Sequence, residues 1–421
     1  MTFARSGRLP TTRLVWLIVI GACGGSGEAS SRAVVRDSAG IHIVENVSPD
    51  DSAANVWWAV GAPEVDIGGP DAVEPYALYR VTDALRTTEG LIVVASAGSS
   101  DIRVYDATGV HVRTTGRAGG GPGEFASLGG GLERGRADSL LVSDVQNRRI
   151  SVLSRTGEYV REITMGGPSA LNRSLGRFGD GSLLGSITSG GPGGLPTNGF
   201  TRVDMMLGRF SPEGQLLDTL GSFPGAERYV RVTTSTGRAP TSIDQITSIE
   251  VMGTPFSKNA IQAAYGTELY IGPQTAGEIL VYDTAGVLKR IIRTGRVPDP
   301  VTEAHLEAQW QRSIDASPPE RQAEMRAAGR TDLPHGNIIP PYAALLADSN
   351  GNLWASDYDD PLKNQQGRWT VYDPAGAVLA RIALPARFRP FDIGDDWILG
   401  QELDDLDVEH VRLYRLQKPA S

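Results

Sequence analysis

A single cysteine, Cys23, occurs among the 421 residues. With no second thiol, no intrachain disulfide staples this fold and no zinc signature of paired cysteines can form. Histidine is scarce as well. His42, His111, His305, His335 and His410 show no paired metal-ligand spacing such as His-x-x-x-His, and no Ser-His-Asp arrangement stands out. Positive charge is in deficit: the formal net charge is −9, and setting aside Arg5, Arg8 and Arg13 leaves 37 basic against 49 acidic residues, or −12. Such a surface repels nucleic acid and anionic headgroups alike, which excludes nucleic acid as a partner. The apolar run LVWLIVIGA, from Leu14 to Ala22, falls far short of the roughly 20 residues that span a bilayer. No linker splits the chain into separate domains, despite its length.

What the chain has instead is a pattern that returns along it. A short apolar-alternating strand runs into a tight turn ending in Gly, and a second strand follows. It reads IRVYDATGVHVRTT from Ile102, ISVLSRTGEYVREI from Ile150 and LGRFSPEGQLLDTL from Leu207, then ILVYDTAGVLKRII from Ile279 and WTVYDPAGAVLARI from Trp369. A repeated hairpin cannot bury its own faces, so the repeats must pack on one another. The turn glycines Gly109, Gly157, Gly214, Gly286 and Gly376 stand 48, 57, 72 and 90 residues apart. That is a common unit plus insertions, which argues against a β-sandwich.

Before each hairpin lies a turn signal, such as TTEG at Thr87–Gly90 or DSNG at Asp348–Gly351, and a β-rich strand. These strands are LIVVAS from Leu91, LLVSD from Leu140, LLGSI from Leu183, LYIG from Leu269, LWASD from Leu353 and WILGQ from Trp397. One further strand before each makes four in meander order, the blade of a β-propeller. The sixth unit stops at HVRLYRL from His410, one strand short. RDSAGIHIVEN from Arg36 reads like YDTAGVLKRII from Tyr282, so residues 37–45 are expected to complete the last blade. The expected fold is all-β: a six-bladed β-propeller over 34–418, closed by the N-terminal strand, with a small helical insertion (300–332) between blades four and five.

The second unit carries a more specific pattern. GGGPGEF (Gly119–Phe125) followed by SLLVSDVQNRRISVLSRTGEYVREI (Ser139–Ile163) resembles the NHL-repeat family of propellers, with its Gly-Pro-Gly-Glu-Phe entry and Asp-x-x-Asn-Arg-x-Ile junction. The other units keep the strand rhythm without Asn-Arg. The whole looks like the bacterial six-bladed propeller lipoproteins of that broad class. This fold hosts scaffolds, receptors and enzymes alike. At the N-terminus, three arginines without an acid precede the apolar run, which reads as a signal peptide over 1–22. Cys23, directly after Ile20-Gly21-Ala22, resembles a bacterial lipobox. The resemblance implies acylation of Cys23, a flexible tether over 23–33, and export with anchoring to a bacterial membrane through that lipid only. Gly24 after the cysteine favours the outer membrane or cell surface, with the folded domain in the periplasm or exterior.

Propeller topology sends the short turns to one face and every long insertion to the other. Ser189–Asp204, Gly221–Pro255, Gly295–Pro340 and Asp357–Arg368 therefore gather at one mouth, where function is expected. In the longest insertion Leu306, Trp310 and Ile314 recur every four residues on one helical face, either a lid or a structural cap. Candidate ligand-binding residues are Arg80, Arg173 and Lys258, near inner strands and able to face the channel, with Glu124 and His335. Asp144, Asp357 and Asp359 are candidate ligands for a hard cation such as calcium; such acids more often cap turns. GRAGGGPGE (Gly116–Glu124) precedes a strand and holds Pro122, so it is a turning element rather than a phosphate loop. Two functions follow. One is a lipid-anchored binding or scaffold module that takes a protein, small-molecule or carbohydrate ligand at the mouth. The alternative is a lactonase-like metal-dependent hydrolase or lyase with a channel cation, using Glu124, Asp144, Asp357 and His335.

Overall fold

In the repeated turns, a side-chain oxygen does what the next backbone turn cannot. Asp106 Oδ1 accepts the N–H groups of Thr108 and Val110, both at 2.9 Å, and the Asp106 N–H donates to the Val110 carbonyl at 2.8 Å. Asp283 repeats this with Ala285 and Val287, and the Ser154 hydroxyl accepts more loosely from Thr156 and Glu158. The fourth residue must then adopt φ near +88° at Gly109 and +86° at Gly157, where a side chain is strained. A second constraint coincides with it. A Cβ on Gly157 would come within 2.8 Å of Val104, in the preceding sheet, and one on Gly109 within 2.8 Å of Val65.

The computed structural model describes residues 33–47, 55–129, 131–165, 171–187, 195–330, 333–363 and 367–419. Cys23, the presequence and most of the tether lie outside these residues. Arg32–Ser421 is one compact unit by its internal contacts. It is built mainly of small antiparallel sheets in meander order. The first sheet takes Val81–Arg86, Ile92–Ser96, Asp101–Tyr105 and His111–Thr115. The second takes Leu132–Arg134, Leu140–Asp144, Arg149–Leu153 and Tyr159–Thr164, and the third Leu171–Arg177, Leu183–Ile187, Met205–Phe210 and Leu216–Phe223. The fourth takes Ile261–Tyr265, Glu268–Gly272, Glu278–Asp283 and Leu288–Arg293, and the fifth Ala344–Ala347, Leu353–Ser356, Arg368–Tyr372 and Val378–Ala383. The sixth has Phe388–Ile393, Trp397–Leu403 and Glu409–Gln417.

The core lies between these sheets. Leu85, Val93 and Ile102 of the first mesh with Leu132, Leu140 and Leu153 of the second. Ile150 and Val152 meet Leu171, Leu183 and Phe210, and Leu184 and Leu207 meet Leu269 and Ile271. Tyr270, Ile279 and Val281 then pack on Leu345, Leu353 and Tyr372, and Trp354, Trp369 and Val371 on Phe388, Ile398 and Tyr414. Finally Leu399 and Val411 of the sixth sheet pack on Val81, Ile92 and Tyr105 of the first. Each such side chain contributes about 1.5–3 kcal/mol by leaving water. Small sheets stacked face to face in chain order are the construction of a β-propeller.

The N-terminal segment departs from expectation. Residues 37–45 do not complete the last sheet. Strands β1 (Ala33–Ser38) and β2 (Ile41–Asn46) form their own hairpin. Strand β2 then runs parallel to Leu288–Arg293 on the outside of the fourth sheet. The strand that pairs with Glu409–Gln417 is β3, Asn55–Gly68, with Leu413 opposite Val65 and His410 opposite Gly68. The first residues of β3 also run parallel to the fifth sheet, Asn55 opposite Ala380. The reason is visible in the sequence once the partner is known. RDSAGIHIVEN spans the turn of a hairpin whose first arm covers the outer edge of the second, leaving the inner edge for Leu288–Arg293, whereas NVWWAVGAPEVDIG is one long strand that places Trp57, Val65 and Ile67 in the core.

Asn46 bolts this N-terminal segment in place. Its Nδ2 donates to the Arg293 and Gly376 carbonyls at 3.1 and 3.0 Å, and its Oδ1 accepts from the Val378 N–H at 2.9 Å. The side chain thus spans the fourth and fifth sheets while buried. Asn46→Ala leaves three backbone groups without a partner and should cost about 1–3 kcal/mol; urea unfolding followed by circular dichroism reads this. Asn46→Asp sets a buried carboxylate oxygen against the same two carbonyls and should cost at least as much as Asn46→Ala.

Candidate functional site

The insertions carry structure of their own. Gly199–Arg202, Glu227–Thr234 and Ile246–Met252 come from two different connections and pair into one three-stranded antiparallel sheet. Val230 and Val232 are buried on it, whereas Ile249 and Val251 on the same face stay 48% and 62% exposed. Ile246–Met252 is an edge strand, bonded on one side only. The next insertion forms α1 (Glu303–Asp315) and α2 (Pro319–Ala328). Thr302 and His305 cap α1 reciprocally, and Ile314 of the expected stripe is buried while Leu306 and Trp310 are half-buried. Arg312 pairs with Asp359 at 3.0 Å and the His305 imidazole faces Asp360. Helix α1 therefore packs on the loop after Leu353–Ser356, and α2 buries no residue.

The residues named from sequence fall in separate places. Asp144 is buried and accepts four hydrogen bonds, from the backbone of Ala126, Ser127 and Asn147 and from Asn147 Nδ2, at 2.7–3.1 Å. Glu124 accepts the Gly121 N–H at 2.8 Å and pairs with Arg117 at 2.7 Å, which together hold its carboxyl below the usual range. Asp357 pairs with Arg296 at 2.6 Å. Lys258 is buried, with Nζ 3.1 Å from Glu227 and 3.2 Å from Asn337. The His335 Nδ1–H donates to the Gly336 carbonyl at 2.8 Å. Arg80 is exposed at φ +53° before the first inner strand, and Arg173 is exposed on the third. Asp357 and Asp359 share one loop, Lys258 reaches Asn337 two residues from His335, and Glu124 and Asp144 share a neighbourhood that explains the second unit's motif. Arg149 donates to the Gly120, Gly121 and Glu124 carbonyls and Asn147 to that of Gly119, so the motif's Asn147, with the Arg149 that follows its Arg148, ties down the Gly-rich loop. Among the described residues no three His, Cys, Asp or Glu side chains are grouped to hold a metal ion.

A different set converges where the inner strands meet. Asp83, Glu133, Arg134, Arg177 and Asp392 line one cavity of about 460 Å³, with Phe178, Tyr265 and Phe391 among its walls. The acids share a geometry. Asp392 accepts the Arg86 N–H at 2.8 Å, and Asp83 the Leu132 N–H at 2.8 Å. In each case a carboxylate from one sheet satisfies the free edge of the next sheet's innermost strand. Burial among protein atoms pushes Asp83 up to about 7, against the pull of the Leu132 and Ala84 N–H groups. Burial likewise raises Glu133 and Asp392, the latter opposed by Arg134. Sequence reasoning missed these three. The available signal was an acid inside a short innermost strand that also carries an arginine: VTDALR, LER and FRPFDI.

No family model and no curated protein matches this chain. Solved structures do resemble it. A member of the DUF4221 family from Bacteroides vulgatus aligns at 11% identity over 87% of this chain and 99% of its own, TM-score 0.46. Virginiamycin B lyase from Staphylococcus aureus aligns at 11% over 88% and 97%, TM-score 0.38. Regucalcin, a calcium-binding protein from Agrobacterium tumefaciens, aligns at 12% over 86% and 96%, TM-score 0.40. At these scores no ligand or activity carries over.

The raised Asp83 gives a pH dependence with a definite sign. The folded protein keeps this proton up to about pH 7, the unfolded chain only to its ordinary value of 3.8. Its favourable contribution is therefore complete below that lower value and is lost as pH rises through about 7. The melting temperature of Asp83→Asn minus that of the wild type should climb between pH 4.5 and 7.5 and level off above. A difference constant across that range would contradict the assignment.

Proposed function

We propose that the chain is an exported, lipid-anchored, six-bladed β-propeller, closed by β3, that acts as a binding or scaffold module through its insertion-built face. The six interfaces between consecutive sheets, the last returning to the first, support the blade count and the closure. The lipobox-like Cys23 supports the anchor. One observation carries the binding role. The edge strand Ile246–Met252 offers a free row of backbone groups beside exposed Ile249 and Val251. An extended segment of a protein partner would add to this sheet as a fourth strand, hydrogen bonds supplying affinity and the apolar side chains register. Small-molecule or carbohydrate ligands at the same face would leave that edge unused. The lactonase-like alternative, with calcium in the channel, needs Glu124, Asp144, Asp357 and His335 around one cation. Their separate engagements favour the binding module instead.

A photo-crosslinking residue at Ile249 in the producing cells should give a discrete protein adduct, while the same residue at exposed Val160, on an outer strand, should give none. Thr247→Pro should abolish the adduct by disrupting the edge. Adducts absent from Ile249, or equal at both sites, would defeat strand addition. Cys23→Ser should move the protein from the membrane fraction to the soluble one.

A further inference from the structure

The cavity beside the inner strands is lined by two opposite charges, Glu133 and Arg177, which lie within electrostatic reach of each other without forming an ion pair. Glu133 Oε1 accepts the Ser174 hydroxyl at 2.6 Å, but Glu133 Oε2 is buried and has no hydrogen-bond partner. Arg177 donates to the Arg134 carbonyl at 3.0 Å and forms no ion pair with a carboxylate among the described residues. Both line the same cavity. A buried carboxylate oxygen without a donor is destabilising, so a group that supplies one is favoured there. By contrast, Asp392 is matched by Arg134 and the Arg86 N–H, and each Asp83 oxygen accepts one N–H, from Ala84 and Leu132.

Size and spacing narrow the ligand. The acids are not grouped closely enough to enclose a metal ion, and about 460 Å³ falls within the range of small-molecule sites. An inorganic ion would leave Phe178, Phe391 and most of that volume uncovered. A simple amine would answer Glu133 and leave Arg177 facing a second cation; a simple acid would do the reverse. A molecule with both an ammonium and a carboxylate on an apolar body answers all three features. We propose that this cavity binds a free α-amino acid with an apolar side chain, its ammonium on Glu133, its carboxylate on Arg177 and its side chain against Phe178 and Phe391. This site is separate from the edge strand on the insertion face and does not depend on it.

The test is isothermal titration of the purified protein with L-leucine and L-phenylalanine. Isoamylamine, which lacks the carboxylate, and isocaproate, which lacks the ammonium, serve as half-ligands. At least one amino acid should bind, and each half-ligand should bind about ten- to a hundred-fold more weakly. Glu133→Gln and Arg177→Gln should each weaken the amino acid by a similar factor while keeping the wild-type circular dichroism spectrum. If either variant fails to fold, the half-ligand comparison in the wild type decides. No heat with both amino acids, half-ligands equal to them, or unchanged affinity in a folded Glu133→Gln would each overturn the proposal.

Discussion

Everything in this molecule depends on the face-to-face contact between one small sheet and the next. A four-stranded sheet of these lengths has two apolar faces and cannot bury either alone. Each contact combines three devices: interdigitated aliphatic and aromatic side chains, a turn glycine set against the preceding sheet, and, at three sheets near the axis, a carboxylate directed at the next innermost strand. The first provides most of the free energy by removing apolar area from water. The second fixes how closely two sheets approach, since the turn leaves no room for a side chain. The third answers the unpaired edge that every innermost strand presents to the channel.

Those carboxylates tie stability to chemistry. An acid that caps a backbone N–H in a narrow, protein-walled channel is desolvated, and its proton is held to higher pH. The same placement concentrates ionisable groups in a cavity of ligand size. Stacking the sheets and building a site are thus one arrangement: residues that seal strand edges also line the cavity between the inner strands. The insertion face follows different rules. Its three-stranded sheet and helical pair are supported by local ion pairs and caps, with Arg312, Asp359 and His305 fastening α1. Exposed apolar residues persist there because no neighbouring sheet covers them.

Much of the architecture was legible along the chain. The Asp-x-x-Gly turns and alternating strands marked the hairpins because the signals that specify them are local: an Asx oxygen, a glycine at positive φ, a period of two. The helical insertion was legible for the same reason, from Leu306, Trp310 and Ile314. The N-terminal strands were not assigned correctly, because a hairpin motif tells nothing about which edge it joins. The site was less legible still. Asp144 and Glu124 were visible as acids near loops and Lys258 as a cation near an inner strand, yet the acids hold the Gly-rich segment and Lys258 is taken up by Glu227 and Asn337. Asp83, Glu133 and Asp392 stand far apart in sequence and look unremarkable until the inner strands are brought together.

By itself the sequence determined the repeat, the all-β class, the acidic surface and the hairpin turns, since these rest on composition or on neighbours within about a dozen residues. Tertiary structure decided which strand meets the last sheet, that two distant insertions pair into one sheet, and which charges share the channel. The physical reason is common to all three. Strand edges and inner-strand side chains are satisfied by partners from another segment, and no local pattern encodes a partner tens to hundreds of residues away.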